Sequence, residues 1–568
     1  ADVPPTLTGI LQARLDGLPA RERIALQKAS VIGLTFWDKA LGALDARATE
    51  ALPALVQRGL TLKRDAGTVD DAHEFAFKHH ILHQVTYETL LKSHKRELHA
   101  RAAHWLANLT GARAGNFLGI TAEHYAQAGD FPNAIEFYAR AAEHARNGYV
   151  HESVLSYVAH ALNLLDAVKT GDPFDLVQFR QRWRLLDVRE AIWRLQGRRD
   201  AQRADQDAMQ AVANALNDKK LMAELANRRA QLAMLISDFQ TQEAIARTAI
   251  ELANDAADVE LRLKSQRVLS AALAGKGDTH AALELTRSGL SQAREQGLRR
   301  LEGTYLSDLS NMLFNQGQIV ASMELMSQVL VINQEVGDRV NEANNVGNRG
   351  VSWLQFGALN EARVDIGAAL EMSRAVGDRA SEGAHLVNLS RLMLMQGHET
   401  AALAHARAGL DIAIATEVAS WEVISLIYMG NAEMALGRMA DARLAFLRAE
   451  SIAEKIGNAW RFDALAGLAR VALEAGELDE AVRLVGLLLD QMETARALDD
   501  VDLPRWIELT CYKVLDAAAD PRAPRMLARA HDLLLTQANN IPDAALRQSF
   551  LDNIPEHREI VQLRTQTP

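Results

Sequence analysis

Asp308, Asn348, Asn388 and Tyr428 are spaced forty residues apart, and a neighbouring column at the same step holds Asn311, Val351, Arg391 and Asn431. Asn345 lies one helical turn before Asn348. Asparagine is a poor residue inside a helix, so its recurrence at fixed positions asks for a reason. A carboxamide offers both a donor and an acceptor, and can grip a peptide backbone whatever its side chains. The same amides can tie neighbouring helices together, and the two roles are compatible. Either way the chemistry is recognition.

The residues of an enzyme are not assembled by any local motif. There is no GxxxxGK[ST] phosphate loop, and no nucleophile–base set can be placed. Cys511 is the one cysteine, which excludes an internal disulfide and reads as a small core residue. Eleven of the 17 histidines fall between His73 and His160. His79 and His83 have the i,i+4 spacing that could seat a metal, but no HExxH and no nearby cysteine accompany them, so a solvated or capping role is the simpler expectation. Lys92, Lys95, Arg96 and Arg101 could face a phosphate or form a charged helix face. We expect no cofactor and no metal.

The polar columns must be carried by a repeating scaffold. Gly297, Gly337, Gly377 and Gly457 keep a forty-residue step, with Glu417 in the missing slot. Half a period away run Gly197, Gly277, Gly317, Gly357, Gly397 and Gly437, then Gly476 one residue early, with Ser237 in the vacant slot. Two turn signals per period, with helix-forming sequence between them, predict stacked helical hairpins. An alanine follows the turn glycine by five residues at Ala134, Ala282, Ala362, Ala402, Ala442 and Ala481, where the second helix leans on the first and only a small side chain fits. Asp338 and Asp378, each after a glycine, can cap the next helix. In one repeat, residues 340–356 and 360–376 form the two helices, each about 25 Å long. On the first helix Ala343, Val346, Gly347, Gly350, Val351 and Leu354 fall on one face, and on the second Ala362, Ile366, Ala369 and Leu370 face inward. First helices should line the concave face. Trp353, Trp421, Tyr305 and Phe356 among them read as packing before they read as ligand anchors.

Residues 1–110 break the ruler: helices, then TLKRD and HEFAFKH as a small β-hairpin, then helices again, an order that suits a winged-helix module. Residues 111–177 read as a degenerate helical repeat or linker, 178–495 as about eight repeats, and 496–568 as a C-terminal helical cap. The net charge of −11 argues against nucleic acid or a membrane surface as partner, and no apolar run reaches the roughly 18 residues that span a bilayer. The start at Ala1 has no initiator methionine and no signal-peptide pattern, which suggests a fragment of a longer protein or a processed form.

GxLNEARxxIGAALEMSRAVGDRxxEGAHLVNLSRLMLMQG resembles tetratricopeptide repeats, most closely the long variant of kinesin light chains and bacterial signalling proteins. LQARLDGLPARERIALQKASVIGLTFWDKAL, FAFKHHILHQVTYETLLKSHKRELHARAAHWL and the closing IPDAALRQSFLDNIPEHREIV are similar to the region after the ATPase core of bacterial STAND signalling ATPases of the nucleotide-cyclase-associated class. The resemblance implies a mainly all-α fold: a right-handed superhelix behind a winged-helix-like domain. It implies a cytoplasmic, non-catalytic sensor region that binds a peptide or protein in its concave groove and relays this to an ATPase or cyclase domain absent from this chain. Kinesin light chains hold peptide main chain with groove asparagines, which points to Asp308, Asn311, Asn345, Asn348, Asn388, Arg391, Tyr428 and Asn431. Winged-helix histidines of STAND proteins can contact a bound ADP phosphate, which makes His79 the nucleotide-sensing candidate, acting only with an ATPase core. Related tails also recognise sugars or metabolites, so a small-molecule sensor is the alternative. The segment 496–568 is long enough to fold back into the groove.

Overall fold

The computed structural model describes residues 5–64, 69, 72–109, 114–168, 176–493, 498 and 501–566. It divides into two compact units, Ala1–Ile192 and Trp193–Pro568.

The first unit opens with helices Pro5–Asp16 and Ala20–Ile32, followed by β1 (Thr35–Trp37), helix Asp38–Leu44, a 3-10 turn and helix Leu52–Gln57. Then come β2 (Thr61–Lys63) and β3 (Glu74–Phe77). All pairing is antiparallel in the order β1-β3-β2, with Phe36 opposite Phe75 and Leu62 opposite Ala76. The expected hairpin is therefore two-thirds of a three-stranded sheet, because Thr35–Trp37 joins its other edge. The core is aromatic: Phe36 stacks on Phe75 at 5.8 Å, and Trp37 packs on Trp105 at 5.9 Å and Phe117 at 5.3 Å. Helices His80–Glu88 and Lys92–Ala107 cover it, and further helices follow from Leu118 onward.

The second unit is an all-α solenoid of tetratricopeptide-like hairpins. After helix Arg199–Leu216, seven hairpins run from Lys219 to Met492 among the described residues. The repeat read from the sequence is Arg339–Gln355 paired with Leu359–Val376. The turn glycines are left-handed, as at Gly337 (φ 65°) and Gly357 (φ 69°), and residues without glycine's freedom hold the same slots: Ser237 (φ 60°) and Glu417 (φ 53°). Asn217 (φ 47°) and Ala257 (φ 52°) extend the same ruler toward the start of the solenoid. Asp338 and Asp378 cap the following helices by accepting the Asn341 and Ser381 backbone N–H groups, each at 3.2 Å. Ala282, Ala362, Ala402 and Ala442 are fully buried. Facing them, the Ser270 and Ser390 hydroxyls donate to the Ala282 and Ala402 carbonyls, both at 2.8 Å.

Two contacts join distant parts of this unit. The Arg199 guanidinium donates through Nε to the Thr416 carbonyl at 3.0 Å, and Arg203 pairs with Glu417 at 3.0 Å, so the first helix returns against the turn after Glu399–Ala415. Gly197 permits this approach, since a Cβ there would lie 2.3 Å from Thr416 Cγ2. At the other end, Pro504–Ala517 and Ala523–Asn539 continue the helical stacking, and Ala544–Asp552 and Pro555–Gln566 then fold back along the solenoid.

Candidate functional site

First helices also touch the first helices of adjacent repeats, which brings the forty-residue columns side by side. Arg267 Nε meets Asp308 Oδ2 at 2.6 Å. Burial raises the Asp308 carboxyl from its ordinary value, and Arg267 opposes the rise. Ser307 Oγ donates to Asn345 Oδ1 at 2.7 Å, and Asn345 Nδ2 donates to the Asn341 carbonyl at 2.7 Å. Asn345 is buried and both ends of its amide are engaged, so its geometry is that of a brace.

Asn348 Nδ2 donates to Asn311 Oδ1 at 3.1 Å across the next pair of helices. In either amide orientation this pair keeps one carboxamide oxygen and one carboxamide nitrogen for another molecule. Asn311 is exposed and Asn348 half-buried. Asn388, next in the column, is half-buried and makes no side-chain hydrogen bond among the described residues. These three amides sit on the first helices of three successive repeats, two of them hydrogen-bonded to each other and the third with its carboxamide unengaged among the described residues.

The same columns end differently one repeat later. Arg391 is buried with Nη1 3.6 Å from Asp502 Oδ1, and the buried Tyr428 hydroxyl donates to Asp502 Oδ2. Asp502 is anchored in turn: its N–H and that of Leu503 donate to the Asp463 carboxylate at 3.1 and 2.9 Å. Burial, aided by the Asp502 charge, pushes Asp463 up to about 8. Burial also raises Glu556 on the last helix, against the charges of Arg391 and Arg470. The chain's own C-terminal segment thus supplies carboxylates to the cations of this half. Asn431 Oδ1 is buried here without a hydrogen-bond partner among the described residues. Arg267, Ser307, Asp463, Asp502 and Glu556 were absent from the sequence-derived set. Asp463 and Arg470 left a signal, as the charges inside a helix whose other interior residues, from Phe462 to Leu473, are apolar.

The aromatic residues of these helices divide. Tyr305 is fully buried with its hydroxyl on the Leu263 carbonyl at 2.6 Å, a packing role. Trp353 is half-buried and donates through Nε1 to Asp365 Oδ2 at 3.2 Å, beside the Arg349–Asp365 ion pair at 2.6 Å. Cys511 is buried and its thiol is pushed up to about 12 by burial, which leaves it protonated and inert.

In the first unit, His79 is exposed immediately before helix His80–Glu88. His83 is committed to the fold: its Nε2 lies 2.9 Å from the Ser30 carbonyl and its ring packs on Phe77. Among the described residues no group of three or more histidine, cysteine or acidic side chains could hold a metal. The buried His99 and His124 meet Nδ1 to Nδ1 at 2.7 Å, with the Tyr87 hydroxyl 2.8 Å from His99 Nε2. Burial lowers both imidazoles to about 4, so this relay is neutral at pH 7. Lys95 sits over the Tyr87 ring at 4.1 Å and Arg101 donates to the Ala43 carbonyl at 3.0 Å, which ties part of the basic stretch to the protein itself. No helix among the described residues is long and apolar enough to cross a membrane.

No family model matches the chain, and no curated protein does. Several solved structures are similar. The anaphase-promoting-complex heterotetramer Cut9–Hcn1 has a TM-score of 0.48 at 13% identity, covering 83% of this chain and 84% of that one. A STAND protein with a tetratricopeptide repeat sensor from Pyrococcus horikoshii has a TM-score of 0.34 at 13% identity, covering 97% and 68%. NprR in complex with its cognate peptide NprX has a TM-score of 0.41 at 15% identity, covering 60% and 98%.

Proposed function

We propose that this chain is a non-catalytic regulatory region whose concave face binds an extended segment of a peptide or protein. The observation that carries this reading is the Asn311–Asn348 pair with Asn388 beside it, which offers free amide donors and acceptors on adjacent helices. Asp308 borders the same row. Arg391, Tyr428 and Asn431 belong to the same columns but lie where the C-terminal segment takes their place in recognition. That segment acts as an internal competitor, and a long ligand displaces it.

The relay to an ATPase or cyclase-type effector domain, and a cytoplasmic setting, are part of the same proposal. Residues 1–110 serve as a winged-helix adaptor. The order of a helix, a strand, two helices and two further strands supports this, and exposed His79 stands where it can meet a nucleotide phosphate held by a neighbouring core. Residues 111–177 form the link, 178–495 the binding repeats and 496–568 the cap.

Peptides selected from a random display library against the whole chain test the reading. The triple variant Asn311→Ala, Asn348→Ala and Asn388→Ala should bind the selected peptides at least about tenfold more weakly, since each lost hydrogen bond is worth roughly 1 kcal/mol. Its melting temperature should stay near wild type. Equal affinity for the triple variant would refute the groove reading. Removing residues 541–568, and with them Glu556, together with Asp502→Ala should raise capture of the same peptides; unchanged capture by this variant in folded form would refute the competitor role. The cut is placed there because Pro504–Asn539 covers the core around Leu465 and Leu484 and cannot be spared.

A further inference from the structure

A second surface lies where the returning C-terminal segment meets the hairpin turns. A cleft of about 730 Å³ is walled by Met323 and Val320 of helix Ile319–Val336, Trp353 of helix Arg339–Gln355 and Phe356 just after it, and Ile541 and Leu546 of the C-terminal segment. That volume falls in the range of specific ligand pockets, roughly 300–1,000 Å³. Val364 on the following helix also lines it and is 69% exposed, a large apolar side chain with no cover in the folded unit. Among the described residues the one cation in the lining, Arg349, is already neutralised through two hydrogen bonds to Asp365, at 2.6 and 2.7 Å. Three further carboxylates line the cleft from three separate elements: Glu324, Glu361 and Asp543. All three are exposed, and none has a cationic partner among the described residues. Asp543 spends one oxygen on the Leu546 backbone N–H at 2.9 Å and keeps its charge.

From this arrangement we infer that the cleft is a docking site for a linear protein segment in which a bulky apolar residue is flanked by basic ones. The apolar side chain fills the space between Trp353, Phe356 and Leu546 and covers Val364. Lysines or arginines on either side meet Glu324, Glu361 and Asp543. A compact metabolite fits poorly, because the cleft is more open than enclosed and its charges are spread over three elements. A polybasic segment can answer all three at once. The site is separate from the Asn311–Asn348–Asn388 row and does not depend on it. It also depends on the C-terminal segment in the opposite sense, since Ile541 and Leu546 form one wall. The segment therefore closes one binding surface while completing another.

Fluorescence anisotropy with two labelled peptides tests the proposal: Lys-Lys-Leu-Trp-Leu-Lys-Lys and its counterpart with glutamate for lysine. The full chain should bind the basic peptide at least about tenfold more tightly than the acidic one, a difference that shrinks with added salt. Glu324→Lys with Glu361→Lys should abolish that preference. The charge-matched control Glu251→Lys with Glu284→Lys, exposed carboxylates outside the cleft, should keep it. Truncation after Asn540 should lose the basic peptide while leaving groove-selected peptides bound. Equal binding of the two peptides, no binding of the basic one, equal loss in the control pair, or retention by the truncation would each overturn the docking site.

Discussion

The two halves of the first-helix columns start from the same spacing and reach different ends. Between residues 267 and 388 Asn345 is a buried brace, but Asp308, Asn311, Asn348 and Asn388 keep part of their surface within reach of solvent, with Arg267 paired to Asp308 and Asn348 to Asn311. Between 391 and 470 they are buried against carboxylates from the C-terminal segment, Asp502 and Glu556. A repeat position therefore has no fixed role. What covers it decides whether its polarity stays open to solvent or is used inside the fold, because a charge shielded from water must be paired while an exposed one need not be.

The largest expected effect breaks the covered half. Arg391→Ala leaves Asp502 without its buried cation and removes one of the two cations that offset Glu556, and should cost about 3–5 kcal/mol in urea unfolding. Arg267→Ala removes a pair whose cation is the more exposed partner and whose acid is half-buried, and should cost less, about 1–2 kcal/mol. Similar costs for the two would erase the distinction between the halves. Next comes pH. The folded state raises Asp463 from 3.8 to about 8, so it holds a proton that the unfolded chain releases near pH 4. Stability from this group is full below pH 4 and is lost as pH rises toward 8. Between pH 6.5 and 8 the wild type should lose about 2 kcal/mol through it, and Asp463→Asn should flatten that decline. An unchanged slope would place the titration elsewhere.

Smaller effects separate the turn from its covering. Gly357 and Gly437 are both left-handed, at φ 69° and 76°. A Cβ at Gly437 meets open space, whereas at Gly357 it would lie 2.4 Å from the Ser549 carbonyl oxygen, beside the Asn553 hydrogen bond to the Gly357 carbonyl at 2.9 Å. Gly437→Ala should cost about 1 kcal/mol of backbone strain alone. Gly357→Ala should cost more and speed proteolysis within residues 541–566; equal costs and unchanged proteolysis would mean the segment is not held at this turn. Smallest is Ala257→Gly, in the half without the C-terminal cover, which should stabilise by about 0.5–1 kcal/mol by relieving a left-handed alanine. A destabilised variant would show that the alanine methyl contributes more than its strain costs.

The hairpins were legible because their turns need left-handed residues and glycine supplies most of them. The ruler faded at Asn217 and Ala257, where other residues accept the same conformation at a cost in strain. β1 escaped notice because three residues before a helical run carry no period of their own; pairing with β3 makes them a strand. Asn345 and Asn348 are the same residue one turn apart, and only Ser307 facing Asn345 reveals that it is a brace. Asp502 was hidden because it lies in an irregular segment with no repeat phase, and only the folded chain brings it to Arg391 and Tyr428.

The most direct test of the central claim is hydrogen exchange of the whole chain with and without a display-selected peptide. The groove reading predicts slowed exchange in Arg299–Asn315, Arg339–Gln355 and Arg379–Met395, lost in the Asn311→Ala, Asn348→Ala, Asn388→Ala variant. Protection confined to other elements, or unchanged by those three substitutions, would contradict it.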